Sequence, residues 1–188
     1  MRECVLQHGP AVSLDRVADQ LEVTSPALIK RFGSRRALMI AALRPPEGDD
    51  WLKHLKKGPD GRPLVVQLEE LMGHFSDFFT QVMPCVSALR ESGIPHSELY
   101  RANEQPPLLR GVQALRRWLE QARVRGLVDG APLEAASTAI VGAIIARVFA
   151  AHLAQRSWPV KSQRDYVKQL AQLFTRALAP QPDGPPQS

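Results

Sequence analysis

The chain has 188 residues, 44% of them hydrophobic and 23% charged, enough for one or two small soluble domains with a buried core. That balance excludes a disordered or low-complexity polypeptide. The net charge of +5 favours an anionic partner, and its placement narrows the choice. Up to Arg44 there are seven cationic side chains against four acidic ones, so +3 of the total lies in under a quarter of the chain. A basic headpiece on a near-neutral body is the charge footprint of a nucleic-acid binder. Cys4 and Cys85 are too few for a disulfide framework or a zinc site. They read as buried apolar residues of a reducing compartment, with a thiol sensor as the lesser alternative. No signal peptide is apparent, and the apolar run 139–146 is too short to span a bilayer and is followed by Arg147. The expected location is the cytoplasm, with no membrane partner.

Residues 1–8 offer Cys4 and Val5 to a helical turn that is marginal alone. Ser13 then caps a short helix whose apolar face is Leu14, Val17, Ala18 and Leu21. Thr24 caps a second, with Pro26 in its first turn where a missing N–H costs nothing. This second helix is expected to turn Ala27 and Leu28 inward and Ser25, Lys30 and Arg31 outward. Gly33 breaks the chain, Ser34 offers a further cap, and Arg35 and Arg36 open a third helix, 34–43. Two short helices, a tight turn and a basic flank are what major-groove recognition requires, because the groove admits one helix while nearby cations hold phosphates.

Pro45, Pro46, Glu47 and Gly48 mark a boundary, giving a headpiece of 1–44 and a second domain of 45–179. A short helix is predicted over 49–57, stopped by the run Gly58, Pro59, Asp60, Gly61. From 63 to 92, Leu64, Leu68, Leu71, Met72, Phe75, Phe78, Phe79 and Val82 recur at helical spacing, with Pro84 expected to kink or split the segment. Pro106 and Pro107 open a helix carrying Leu108, Val112, Leu115, Trp118, Leu119 and Ala122 that stops near Gly126. The segment 132–155 is apolar on most sides, with small residues Ala135, Ala139, Gly142, Ala143, Ala146 and Ala150 beside a ridge of Ile140, Ile144 and Val148. The last helix, 163–178, carries Tyr166, Val167, Leu170, Leu173, Phe174 and Ala177 on one face. Residues 180–188 are proline-rich and read as a disordered tail. Strand alternation is absent throughout, so the predicted fold is all-α: a helix-turn-helix headpiece followed by a second helical domain.

Ser13 and Leu14, Val17 and Ala18, Val23 and Thr24, Leu28 and Ile29, Phe32, Ser34 and Arg35, and Leu38 fall in order and without gaps on a known pattern. They resemble the DNA-binding segment of the TetR family of bacterial transcriptional repressors. The resemblance covers about the first quarter of the chain. Glu22 stands where that pattern has a turn glycine, and Ile29 where it has a phosphate-binding tyrosine. The family also has a full helix ahead of Gly9, so the first helix is expected to be cut short here.

The resemblance implies a homodimeric, ligand-responsive regulator, a repressor in the first instance, on a palindromic double-stranded DNA operator. Its DNA-facing residues are expected among Ser13, Thr24, Ser25, Pro26, Lys30, Arg31, Ser34 and Arg35, with Arg35 at the family's phosphate-binding lysine. It implies pairing of the last two helices between subunits and an effector cavity between helices. The cavity candidates are His74, Phe75, Phe78, Phe79, Trp118, Ala122 and Phe149, whose rings point to a small apolar or aromatic effector. The alternative is a helical ligand-binding or interaction protein with a degenerate headpiece that no longer binds DNA. His8, His54, His74, His96 and His152 show no ligand spacing, so neither a metal site nor a cofactor is expected. No nucleophile elbow, phosphate loop or zinc-protease motif occurs, and an enzyme is not expected.

Overall fold

The structure, a computed structural model, describes residues 1–44, 52–95, 98, 105–129, 132–154 and 163–180. Among these residues the secondary structure is helical, as the sequence predicts: α1 (Arg2–His8), α2 (Leu14–Gln20), α3 (Ser25–Phe32), α4 (Arg35–Leu43), α5 (Lys53–Lys57), α6 (Leu64–Glu91), α7 (Pro107–Val124), α8 (Leu133–Leu153) and α9 (Gln163–Leu178). The chain forms two compact units, Met1–Gly48 with Thr80–Gln105, and Asp49–Phe79 with Pro106–Ser188. The tail read at 180–188 lies outside the described residues from 181 onward.

In the first unit, α1 has only seven residues and depends on packing for its stability. Cys4 and Val5 are fully buried. Arg2 ties α1 to the end of α4, donating from Nε to the Ala42 carbonyl at 3.0 Å and from Nη2 to the Arg44 carbonyl. The core runs through Val17, Ala18, Leu28, Leu38 and Leu43 and is completed by Cys85, Ala88, Leu89 and Ile94. The headpiece unit thus extends beyond residue 44, because four short helices bury too little apolar surface without the end of α6. Burial raises the Cys85 thiol pKa, which keeps it protonated and unreactive.

Helix α6 is continuous over 28 residues with Pro84 inside it, against the expected kink or split. An interior proline costs about 3 kcal/mol. Phe78, Phe79 and Val82 before it and Cys85 and Leu89 after it are all buried, and each such side chain is worth about 1.5–3 kcal/mol. Anchors on both sides outweigh the proline.

The second unit is organised around α7 and α8. Trp118, Leu119 and Ala122 of α7 and Ile140, Val141 and Ile144 of α8 are at most 2% exposed. The loop entering α6 is held by Gln67, which accepts from the Asp60 N–H (2.9 Å) and donates to the carbonyls of Asp60 (3.2 Å) and Arg62 (2.6 Å). Gly58 sits at φ 75°, and a Cβ there would strike the Gln121 side chain. Helix α9 is fastened by the Tyr166 hydroxyl donating to the Ala143 carbonyl at 3.0 Å, with the Arg147 guanidinium 4.5 Å from the Tyr166 ring centre.

Among the described residues only one side of α8 is covered. Ala135, Ala139, Gly142, Ala146, Phe149 and Leu153 are exposed, Phe149 at 45% and Leu153 at 65%. By length and composition α8 is apolar enough to cross a bilayer, because alanines extend the run 139–146 in both directions. Ile140, Val141 and Ile144 are nonetheless packed inside the unit, so the open stripe is what remains to be covered.

Candidate nucleic-acid interface

Three hydroxyl caps set the geometry of the headpiece. Ser13 accepts from the Arg16 N–H at 3.2 Å, Thr24 from the Ala27 N–H at 3.3 Å and Ser34 from the Ala37 N–H at 3.1 Å. Each satisfies an orphan N–H at a helix start, so α2, α3 and α4 begin where the sequence predicts. The turn between α2 and α3 closes through Val23 N–H to the Ala18 carbonyl (3.0 Å), with Glu22 left-handed at φ 54°. The left-handed turn expected of the family's glycine position is therefore kept with a glutamate in it.

Along α3, Leu28 is buried and Ile29 and Phe32 are half-buried, while Pro26, Lys30 and Arg31 are exposed. Ala27, expected inward, is exposed as well. The inner face is fixed by Leu28 and Phe32 four residues apart, which turns Ala27 away by about 100°. Ser25 is half-buried, and its hydroxyl donates to Asp15 at 2.5 Å, linking α3 to α2. Arg31 lies 5.6 Å from the centre of the Phe32 ring. Behind α3 an apolar groove of ≈470 Å³ is lined by Leu21, Val23, Ala27 and Phe32 among others.

Arg35 and Arg36 are both engaged. Arg35, half-buried, donates from Nη2 to the Pro10 carbonyl at 2.8 Å. Arg36 forms a two-pronged pair with Glu98, at 2.6 and 3.2 Å, which raises its pKa further. Neither tie was legible, since the partners lie 25 and 62 residues away. The arrangement presents one short helix with a small, cationic outer face and a second helix start flanked by guanidinium groups, a shape suited to a groove and its phosphates.

The second unit holds the candidate ligand residues. Phe75, Phe78, Phe79, Trp118 and Ala122 are buried, His74 is half-buried, and Phe149 lies apart on the open stripe of α8. An open groove of ≈600 Å³ runs between α6 and the start of α9, lined by Val66, Glu69, Glu70, Gly73, His74, Ser76, Asp77, Gln163, Arg164 and Val167. Of the predicted set only His74 lines it. Gln163 bridges its two walls, donating to Ser76 Oγ at 2.8 Å and accepting from Arg147 at 2.9 Å.

Beside this groove the fold brings together histidines that look scattered in sequence. His54 of α5 stacks on His74 of α6 with ring centres 4.0 Å apart, and His54 Nδ1 lies 3.3 Å from Glu70 Oε1. Arg62 holds the other carboxylate oxygen of Glu70 at 2.9 Å and is itself held by Asp60 at 2.7 Å, which depresses the Asp60 pKa. Burial, and then His54, lower the His74 pKa, which favours the neutral ring. No spacing rule pairs α5 with the middle of α6; the chain reversal at 58–63 does so.

No family model matches the sequence, and no curated protein matches it. Solved structures are similar in fold over nearly the whole chain. The TetR transcriptional regulator SCO0520 from Streptomyces coelicolor has a TM-score of 0.57 at 21% identity, over 96% of this chain and 95% of that one. A mutant of HlyIIR gives 0.55 at 12% identity, over 97% and 93%. NalD, the secondary repressor of the MexAB-OprM multidrug efflux pump in Pseudomonas aeruginosa, gives 0.52 at 15%, over 95% and 91%. The fold is that of TetR-type regulators: an N-terminal helix-turn-helix and a helical C-terminal domain.

Proposed function

We propose that this chain is a ligand-responsive, DNA-binding transcriptional regulator of the cytoplasm, acting as a repressor and binding a palindromic operator as a homodimer. The observation that carries the reading is the headpiece itself: three capped short helices with the outer face of α3 open and cationic at Lys30 and Arg31. Likeness to regulators over most of both chains supports it. The degenerate-headpiece alternative loses ground because the short α1 buries Cys4 and Val5 in the headpiece core and is tied to α4.

In this reading Ser25, Pro26, Lys30 and Arg31 face the major groove. Ser13, Thr24 and Ser34 orient the helix starts, and Arg35 reaches a phosphate with donors not used on Pro10. The effector is a small molecule with an apolar or aromatic body. Val66 and Val167 offer it apolar contact in the open groove, and Glu69, Glu70 and Asp77 favour a hydrogen-bond-donating or cationic group on it.

Fluorescence anisotropy against duplex DNA at several salt concentrations tests the DNA reading. Each phosphate contact adds about 0.9 to the slope of log affinity against log salt. Lys30→Ala or Arg31→Ala should weaken binding, and loss of a phosphate contact should flatten the slope by about two in a dimer. A folded protein that binds no duplex even at low salt would replace the regulator with the interaction-protein alternative.

A further inference from the structure

We infer that His54, Glu70 and His74 form a binding site for a divalent d-block cation of the zinc class. Their ligand atoms all lie within 4.8 Å of one another, from two different helices. Two imidazoles and one carboxylate are a donor set that such ions take, leaving a further position for water or another ligand. Bonds of about 2.0–2.2 Å to each donor require the three atoms to close to roughly 3–3.5 Å. Rotation of His54 and Glu70, whose side chains are 37% and 34% exposed, supplies that movement.

Two features separate this cluster from a chance meeting of polar side chains. The first is the carboxylate. Arg62 occupies Glu70 Oε2 and leaves Oε1 toward the imidazoles, while Asp60 holds Arg62 and Gln67 holds the loop that carries both. Metal-binding carboxylates are oriented by outer hydrogen bonds of this kind. The second is His74 Nε2, which is buried without a hydrogen-bond partner among the described residues. A buried ring nitrogen left unpaired loses the hydrogen bonds it had in water, and a bound cation is the partner that removes that cost. Glu70 and His74 also line the open groove, which gives an ion a route in.

A bound cation would clip α5, a helix of five residues, to α6. The whole 188-residue chain, stripped with a chelator, is titrated with Zn²⁺ by calorimetry and with Co²⁺ by visible absorption. One equivalent per chain is expected, with the intense visible band of a low-coordinate Co²⁺ site and a melting temperature that rises with metal concentration. His54→Gln, Glu70→Gln and His74→Gln should each weaken binding by more than about 100-fold, beyond the 10–100-fold typical of an outer partner. His8→Gln should bind like the parent. Since a cluster variant can misfold, side-chain NMR of the parent gives a second readout, in which two of the five histidines should shift on adding Zn²⁺. Binding well below one equivalent, a parent spectrum in which neither His54 nor His74 shifts, or folded cluster variants that bind as tightly as the parent would overturn the site. This test involves no DNA, so its failure leaves the regulator reading untouched.

Discussion

Glu22 carries the positive φ in the turn between α2 and α3, at 54°, and its side chain is exposed. A left-handed residue other than glycine costs about 1–2 kcal/mol, and glycine gives back roughly 0.5–1 kcal/mol through its freer unfolded state. Glu22→Gly should therefore stabilise the headpiece by up to about 1 kcal/mol, a change that denaturant unfolding resolves. The same substitution removes a negative charge near α3 and should tighten DNA binding while leaving the salt slope unchanged, because no phosphate contact is added. A loss of stability would mean that the Glu22 side chain holds the turn in another way. At this scale the caps at Ser13, Thr24 and Ser34 were legible, since each acts on a backbone N–H three residues ahead. Arg35 was not, because its Pro10 partner is set by how α4 packs rather than by any local pattern.

Among the helices, α8 states its requirement most clearly. One face is buried, and the other exposes Ala135, Ala139, Gly142, Ala146, Phe149 and Leu153 in a continuous apolar row. Small residues in such a row let a second helix approach closely, and in the proposed dimer a second copy of α8 would cover it by two-fold symmetry. Gly142 is the position to test, since a Cβ added there meets nothing within 4 Å in its own chain. Ala143 is less informative because it is half-buried and its carbonyl holds Tyr166. Gly142→Arg should keep the fold, as circular dichroism reports, and shift light scattering from dimer to monomer. A parent that is monomeric at tens of micromolar would remove the basis for palindromic recognition. Periodicity revealed where α6, α7, α8 and α9 lie, because each buries a helical stripe. It did not reveal that Pro84 would be absorbed, nor that α5 would bring His54 onto His74, since both depend on contacts made across the fold.

For the molecule as a whole, α6 is the element that belongs to both units: 64–79 in one and 80–91 in the other. Glu69, Glu70, Gly73, His74, Ser76 and Asp77 line the groove, and Cys85, Ala88 and Leu89 complete the headpiece core, all on one uninterrupted helix. A ligand that favours one setting of this helix biases the headpiece only by its difference in affinity between settings. Pro84 sits between the two stretches and lacks the N–H that would otherwise bond the Thr80 carbonyl. The expected outcome is reciprocal coupling. A thermal-shift screen of apolar, aromatic and cationic compounds should give hits that weaken operator binding by a factor in the usual range of about 5–150, and operator DNA should weaken the same hits by that factor. Pro84→Ala restores the missing hydrogen bond, so it should change the coupling factor while leaving effector affinity in the absence of DNA within about threefold, roughly 0.6 kcal/mol. Hits that stabilise the protein but leave DNA affinity unchanged would show that the groove is not the effector site. Unequal coupling measured from the two directions would show that the compound and the DNA are not reporting on one linked equilibrium.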